Sequence, residues 1–492
     1  MAAVLDDRAL LGHLIGFDTT SVKSNLALID WVANYLDGHG IRSRLTYDAE
    51  KQKANLFATI GPEIPGGIVL SGHTDVVPVD GQPWSSDPFT MVERDGKLYG
   101  RGTCDMKGFI ALALARAAAF RQQAKRVPVH YAFSFDEEVS CNGVRHLLAD
   151  LPTGERRPRL AIIGEPTSMT VANAHKGAAI LTTRITGLEG HSSAPDKGVN
   201  AIMAGAEILH LIGQIAADRK ANPIAGSSFD PPYTTFNVGM IEGGTAHNIV
   251  ARDCRIVWQY RLIPGDHGHD IAERLERFVE TDLLPRMRAI HPEATVVTEK
   301  EIDLPGLMPE PNGEAEALVR ALTGANGSGV VSFGTEAGLF QQAGMSAVVC
   351  GPGSIEQAHK PDEFISLDQY AQGGHFLDRL ERFVADDLLP RMRAIHPGAE
   401  IVTDVGIDLP GLVPEPNGAA EALVRELTGA NGTSVVSFGT EAGLFQQAGM
   451  SAVVCGPGSI EQAHKPDEFI SLDQYAQGGR FLDRLGDWIA KQ

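Results

Sequence analysis

Short apolar runs separated by helical patterns organise the first 177 residues. GGIVLSGH, VHYAFSF and RLAIIGEP, and further along VVSFG and SAVVCGPG, have the length and composition of buried strands. GFIALALARAAAFRQQ and GEAEALVRALTG space their apolar residues as helices do. Strands alternating with helices predict a mainly parallel α/β sheet, whose ligands gather beyond the carboxyl ends of the strands. From residue 178 the pattern changes. AAILTTRITG alternates as a strand, GVNAIMAGAEILHLIGQIA is helical, TTFNVGMIEGG and CRIVWQYRLIPG are strands, DIAERLERFVETDLLPRMRAI is helical and TVVTEKEIDL is a last strand. That order, β-α-β-β-α-β, is the ferredoxin-like unit. It predicts a small α+β domain at 178–304, inserted into a larger domain made of 1–177 and 305–379.

A second pattern lies on top of the first. Residues 275–379 recur at 380–484, so that LERFV at 275 returns at 380 and His359 has a counterpart in His464. About 91 of 105 positions are identical, and the period far exceeds the roughly 20–50 residues of a solenoid unit. The block is a tandem duplication. Deleting either copy on paper leaves a complete single-copy chain, which makes one helix, one strand and one C-terminal subdomain surplus. Residues 380–492 form the second copy, with a natural-looking end in LGDWIAKQ. The unused copy is expected to carry an apolar face without its usual partner and to drive assembly between chains.

Bulk properties narrow the function. A chain of 492 residues, 43% hydrophobic and 21% charged, suggests two or three globular domains. A formal charge of −20 disfavours a nucleic-acid backbone or an anionic membrane as partner. The start, MAAVLDDRALLGHLIGFDTTS, lacks a basic region and reads as an amphipathic helix, and no run approaches the roughly 20 uninterrupted apolar residues of a membrane span. Five scattered cysteines point to free thiols in a reducing, cytoplasmic setting.

The candidate chemistry stands where apolar runs end. His73 and Asp75 in SGHTD, Glu137 and Glu138 in SFDEEVS, and Glu165 in IIGEPT all follow predicted strands, while Asp105 in GTCDMKG opens a helix. His359, or its duplicate His464, sits in a loop after VVCGPG. Imidazoles and carboxylates without thiols suit two hard or borderline divalent cations. Asp75 is placed to orient the His73 ring. Asp105 alone reads better as a helix cap than as a ligand. The neighbours Asp136, Glu137 and Glu138 repel unless cations compensate them, and they allow one acid to bind metal while the next acts as general base. His191 in GHSSAP and the pair His247 and Asn248 belong to the small domain, where they are candidates for donors to a developing oxyanion; Arg261 suits a substrate carboxylate.

The succession SGHTDVVP, GRGTCDMKG, DEE, GEPT, HKG, GHSSAP, GVNAI, GGTAHN, FGTEA and GPGSIEQAHKPDEF resembles the dinuclear zinc family of acetylornithine deacetylases, desuccinylases, aminoacylases and carboxypeptidases. Within it, GEPTS, AHKG and GPGSIEQAHKPDEF look most like the acetylornithine deacetylase branch, which implies release of L-ornithine and acetate from a small N-acyl amino acid. Desuccinylase or aminoacylase activity, or an inactive duplicated product, are the alternatives. The resemblance implies that His73 and Glu165 bind one metal, Glu138 and His359 (or His464) the other, and that Asp105 bridges them. It further implies Glu137 as general base, Asp75 as the residue orienting His73, His191 as an oxyanion donor supplied across a homodimer of the small lid domains, and Asn248 and Arg261 as substrate-binding residues. Zinc, cobalt and manganese all suit these ligands.

Overall fold

The computed structural model describes residues 5–62, 64–124, 127–151, 157–266, 268–385, 412–415, 418–433, 440–459 and 469–491. The chain separates into two compact units, 1–388 and 389–492.

Strands of the first unit are β1 (Ser43–Tyr47), β2 (Ala54–Ile60), β3 (Ile68–His73), β4 (Val92–Arg94), β5 (Lys97–Tyr99), β6 (Val129–Ser134), β7 (Leu160–Ile163) and β8 (Ala172–His175). They continue with β9 (Gly177–Thr186), β10 (Thr235–Gly243), β11 (Asp253–Leu262), β12 (Thr295–Leu304), β13 (Gly329–Val331), β14 (Ser346–Val349) and β15 (Phe364–Ser366). The main sheet has the order β1-β2-β6-β3-β7-β14-β8-β13. Its centre, β6-β3-β7-β14, is parallel throughout, with His73 level with Ser134 and Ser71 level with Ile163. This is the mainly parallel α/β sheet that the apolar runs predict.

Alternation along these strands feeds two cores. Leu70, Tyr131 and Ile162 join one, with residues of the helices Asp7–Ile15, Leu26–Gly38, Lys107–Ala115 and Leu367–Ala385. Val69, Ala132 and Ala161 join the other, against Asn142–Asp150 and Ala337–Gln342. Gly72 and Gly164 let Lys107–Ala115 lie close to the strand ends. A Cβ at Gly72 would stand 2.9 Å from Ile110 Cγ1, and one at Gly164 would stand 2.1 Å from Phe109 Cγ. The long helix expected from GFIALALARAAAFRQQ is broken at Arg116, and a second segment spans Ala117–Gln123.

A four-stranded antiparallel sheet, β10-β11-β9-β12, carries the helix Ala201–Ala221 and the segment 269–290. In chain order these elements run β-α-β-β-α-β. Ala201–Ala221 is apolar and long enough to cross a membrane by length and composition, but its Ala204, Ile208, Ile212 and Ile215 are buried with Ile256 and Trp258 of β11. The helix expected at 270–290 contains a wider turn at Val279–Leu283.

The second unit, within the duplicate, contains the helices Ala419–Thr428, Ala442–Gln447 and Leu472–Ile489. Local bonds of the first copy recur in it. Ser451 donates to Glu415 as Ser346 does to Glu310, and Arg484 to the Leu427 carbonyl as Arg379 does to that of Leu322. Packing does not recur. Tyr370 and Leu377 are 3% and 1% exposed, whereas their duplicates Tyr475 and Leu482 are 70% and 63% exposed. Among the described residues of this unit, Leu427 is the one buried apolar side chain.

Candidate metal centre

Three neighbouring parallel strands and the loops after them deliver the acidic cluster. His73 is the last residue of β3, Glu137 and Glu138 follow β6, and Glu165 follows β7. His359 lies beyond the end of β14, after the 3-10 turn Ile355–Gln357 and in a left-handed conformation, φ 63°. Asp105 occupies the turn before Lys107–Ala115 and does not cap that helix with its side chain.

The Asp105 carboxylate stands between the two histidines. Oδ1 is 3.0 Å from His73 Nε2, and Oδ2 is 3.3 Å from His359 Nε2. Glu165 Oε1 lies 3.7 Å from His73 Nε2, and Glu138 Oε2 lies 2.9 Å from His359 Nε2. Ligand atoms of His73, Glu137 and Glu165 form one compact group, and those of His73, Asp105 and Glu138 another.

Electrostatics follow from so many acids in a dry place. Burial pushes Glu137 and Glu165 well above the usual carboxylate range, with neighbouring carboxylates adding to the effect, and pushes Glu138 up to about 7. Asp105 is buried too, but hydrogen bonds from His359 and His73 hold it below the usual range. Hydrogen bonds to Asp105 and Glu138 raise His359 to about 10. For His73, burial opposes the charged form, yet Asp105, Glu165 and Glu137 outweigh it and raise its pKa well above the usual value. A buried group of carboxylates facing two imidazoles is a donor set that fits divalent cations, whose charge would offset the repulsion.

Asp75 does something other than expected. His73 Nδ1 lies 2.9 Å from the Asp75 backbone carbonyl and 3.6 Å from its carboxylate. That carboxylate instead accepts the amides of Glu137 at 3.1 Å and Glu138 at 3.3 Å, and the Ser21 hydroxyl at 2.7 Å. It holds the turn bearing the acidic pair. Asp136, at φ 59°, turns away and pairs with Lys53, so two of the three adjacent acids face the site.

An open cleft of about 250 Å³ is lined by Asp105, Glu137, Glu138, Glu165 and His359 together with Arg261, Ile302 and Phe333. Arg261 on β11 is thus brought to the acidic cluster. His191, His247 and Asn248 are exposed and do not line this cleft. His191 bonds locally to Ser193, and the Asn248 carbonyl accepts the Ser192 amide. His464 lies outside the described residues.

Two buried acids escaped the sequence reading. Glu336, in FGTEA, is pushed up to about 7 by burial and accepts the Ser71 hydroxyl at 3.3 Å. Glu363, in KPDEF, is 1% exposed and pairs with Arg101. Both sit inside quoted motifs, but a lone acid in a loop gives no sign that it is buried.

The model of peptidase family M20/M25/M40 matches residues 69–381 and again 406–487. The chain belongs to this family. It is 36% identical over 370 residues to acetylornithine deacetylase of Myxococcus xanthus, covering 73% of this chain and 93% of that protein. With acetylornithine deacetylase of Proteus mirabilis it shares 39% over 352 residues, 71% of this chain and 88% of that protein. Among solved structures, aminopeptidase PepT from Bacillus cereus shares the fold at TM-score 0.58 and 18% identity, covering 78% of this chain and 100% of that one. An M20 family metallo-carboxypeptidase from Sulfolobus solfataricus does so at TM-score 0.57 and 16% identity, covering 77% and 99%. Membership in the M20 family makes the chain a metal-dependent hydrolase of amide bonds, in agreement with the motifs.

Proposed function

We propose that the protein hydrolyses N2-acetyl-L-ornithine to L-ornithine and acetate at a centre for two divalent cations. The observation that carries this reading is the Asp105 carboxylate, which offers one oxygen toward His73 and the other toward His359. His73 and Glu165 would hold one cation, Glu138 and His359 the other, and Asp105 both; zinc, cobalt or manganese suits such ligands. Bound cations supply Lewis acidity, polarising the acyl carbonyl and lowering the pKa of water. Glu137 takes a proton from the attacking water and passes it to the departing nitrogen as the C–N bond breaks. Asp75, through the two amides it accepts, keeps Glu137 and Glu138 aimed at the site.

The acetylornithine deacetylases related to this chain support the substrate. The cleft adds a physical reason. Arg261 is the one arginine or lysine among its described lining residues, which suits the single carboxylate of acetylornithine better than the several of a succinylated diacid.

His191 and Asn248 reach a reacting centre through a second subunit. β10 is an edge strand with Val238, Met240 and Ile241 exposed, which suits a homodimer built through the lid sheets. A cytoplasmic place in amino-acid biosynthesis agrees with this chemistry. The test is ornithine release from acetylornithine by the metal-loaded protein beside N-succinyl-diaminopimelate and N-acetylmethionine. Preference for either of the latter overturns the substrate assignment.

A further inference from the structure

We infer that Glu363 is a positioning residue for Asp105, acting through the main chain of the turn that carries it. The inference rests on the reading of Asp105 as the carboxylate shared by two cations.

Glu363 is separated from that turn by more than 250 residues in sequence, yet the turn wraps around it. Its Oε1 accepts three backbone amides, Gly102 at 3.1 Å, Cys104 at 2.9 Å and Asp105 at 3.0 Å. Oε2 accepts Arg101 Nη1 at 2.7 Å, and the Glu363 carbonyl accepts the Gly100 amide at 3.0 Å. Successive amides pointing into one concavity form an anion nest. Here the anion is a side chain, contributed by the residue just before β15, which pairs with β5 next to the turn.

Among the described residues no other carboxylate holds these amides, and Asp105 lacks the cap bond that would tie it to Lys107–Ala115. The Asp105 amide is fixed by Glu363, so the direction in which its carboxylate leaves the chain depends on that contact. The segment bearing Glu363 also bears His359, four residues earlier, and Arg101 reaches it again at the Lys360 carbonyl, 3.4 Å away. One peptide therefore supplies a ligand and fastens the ligand shared with the opposite cation. Both copies of the duplicated block keep the glutamate, as Glu363 and Glu468.

A glutamine cannot replace it beside Arg101. If the amide oxygen takes the three N–H groups, the NH₂ faces a guanidinium; if it turns round, the NH₂ faces the three amides. Removing Arg101 cures that conflict. The variants are therefore Glu363→Gln, Arg101→Met and the double variant, each purified as the full chain and titrated with Co(II), with the cobalt absorption spectrum as readout and thermal melting measured in parallel. Glu363→Gln is expected to weaken Co(II) binding about 10–100-fold, the range usual for loss of a residue that orients a metal ligand. Arg101→Met is expected to lower the melting temperature while leaving Co(II) affinity within about threefold of the parent, since the nest stays filled. In the double variant, affinity is expected to return toward that of the parent.

Parent-like Co(II) affinity in Glu363→Gln overturns the inference and makes the residue a fastener of the fold alone. So does a loss in Arg101→Met equal to that in Glu363→Gln, or a double variant no better than Glu363→Gln. If Glu363→Gln does not fold, the folded double variant decides: weak binding there overturns the inference. None of these readouts uses the substrate. A parent that binds two Co(II) ions but does not cleave acetylornithine sinks the proposed activity and leaves this inference standing. A parent whose Co(II) binding is unchanged by Asp105→Ala sinks the shared-carboxylate reading and this inference with it.

Discussion

Glu137 lines the cleft with no ion pair among the described residues, while its neighbour Glu138 is engaged by His359. The proposed function makes Glu137 the proton carrier and Glu138 a ligand. Glu137→Gln is expected to lower kcat by about 10²–10⁴-fold, the usual contribution of a general base. Bound metal, measured by elemental analysis, should be retained; loss of metal in this variant would make Glu137 a ligand. At this scale His73, Glu137, Glu138 and Glu165 were legible because each stands just past an apolar run, and the end of a buried strand is where a parallel sheet presents side chains. Asp75 was legible as part of the centre but not in its contacts. Its carboxylate serves the backbone of a turn whose left-handed Asp136 leaves no trace in hydrophobic periodicity. Glu363 was hidden for the same reason: its partners are main-chain amides, which sequence does not display.

Among the elements, the helix Lys107–Ala115 packs directly on the strand ends that carry His73 and Glu165. Its approach depends on Gly164, where an added methyl would meet the Phe109 ring. Gly164→Ala should therefore cost about 1–3 kcal/mol, as overpacking of a tight core does, read as a lower midpoint in denaturant; an unchanged midpoint would mean the ring moves aside freely. Strand and helix identities were readable from their periods. The break at Arg116 was not, since no proline or glycine announces it, whereas the wide turn at Val279–Leu283 has a signal in Pro285, which lacks the N–H that would bond four residues back.

Two strands also carry an acid sensitivity. His130 on β6 and His175 on β8 are buried, and burial lowers each to about 4. Neutral His175 accepts the Gly338 amide at 3.2 Å, a bond its protonated form cannot make. Because the folded pKa lies below the unfolded value near 6.5, their stabilisation is complete above that pH and is lost as pH falls toward 4. Each contributes on the order of 3 kcal/mol at most by this linkage. Melting curves from pH 7 to pH 4 should show a shallower decline for His130→Gln than for the parent. Parallel curves would mean that the ring binds protons equally in the folded and unfolded chain.

For the whole molecule, the first copy of the duplicated block brings His359 beside Asp105 and Glu138. His359→Ala should lose activity and about one equivalent of metal, whereas His464→Ala should keep both, with activity and metal content measured side by side; the reverse result would assign the site to the second copy. A chain ending at Leu388 should retain turnover and show less self-association on size exclusion, because it lacks the exposed Leu472, Tyr475 and Leu482. The duplication could be read directly from the sequence, but which copy enters the core could not, since residues 333–374 and 438–479 are identical.

That identity hides two different futures. A polar residue in place of Tyr370 or Leu377 opens the interior, so drift there is purged; at Tyr475 or Leu482 the same change removes only a sticky surface. Selection acts on twin stretches of gene with opposite sign. Polar substitutions accumulating in the second stretch alone are the signature this architecture would leave among descendants of the duplicated gene.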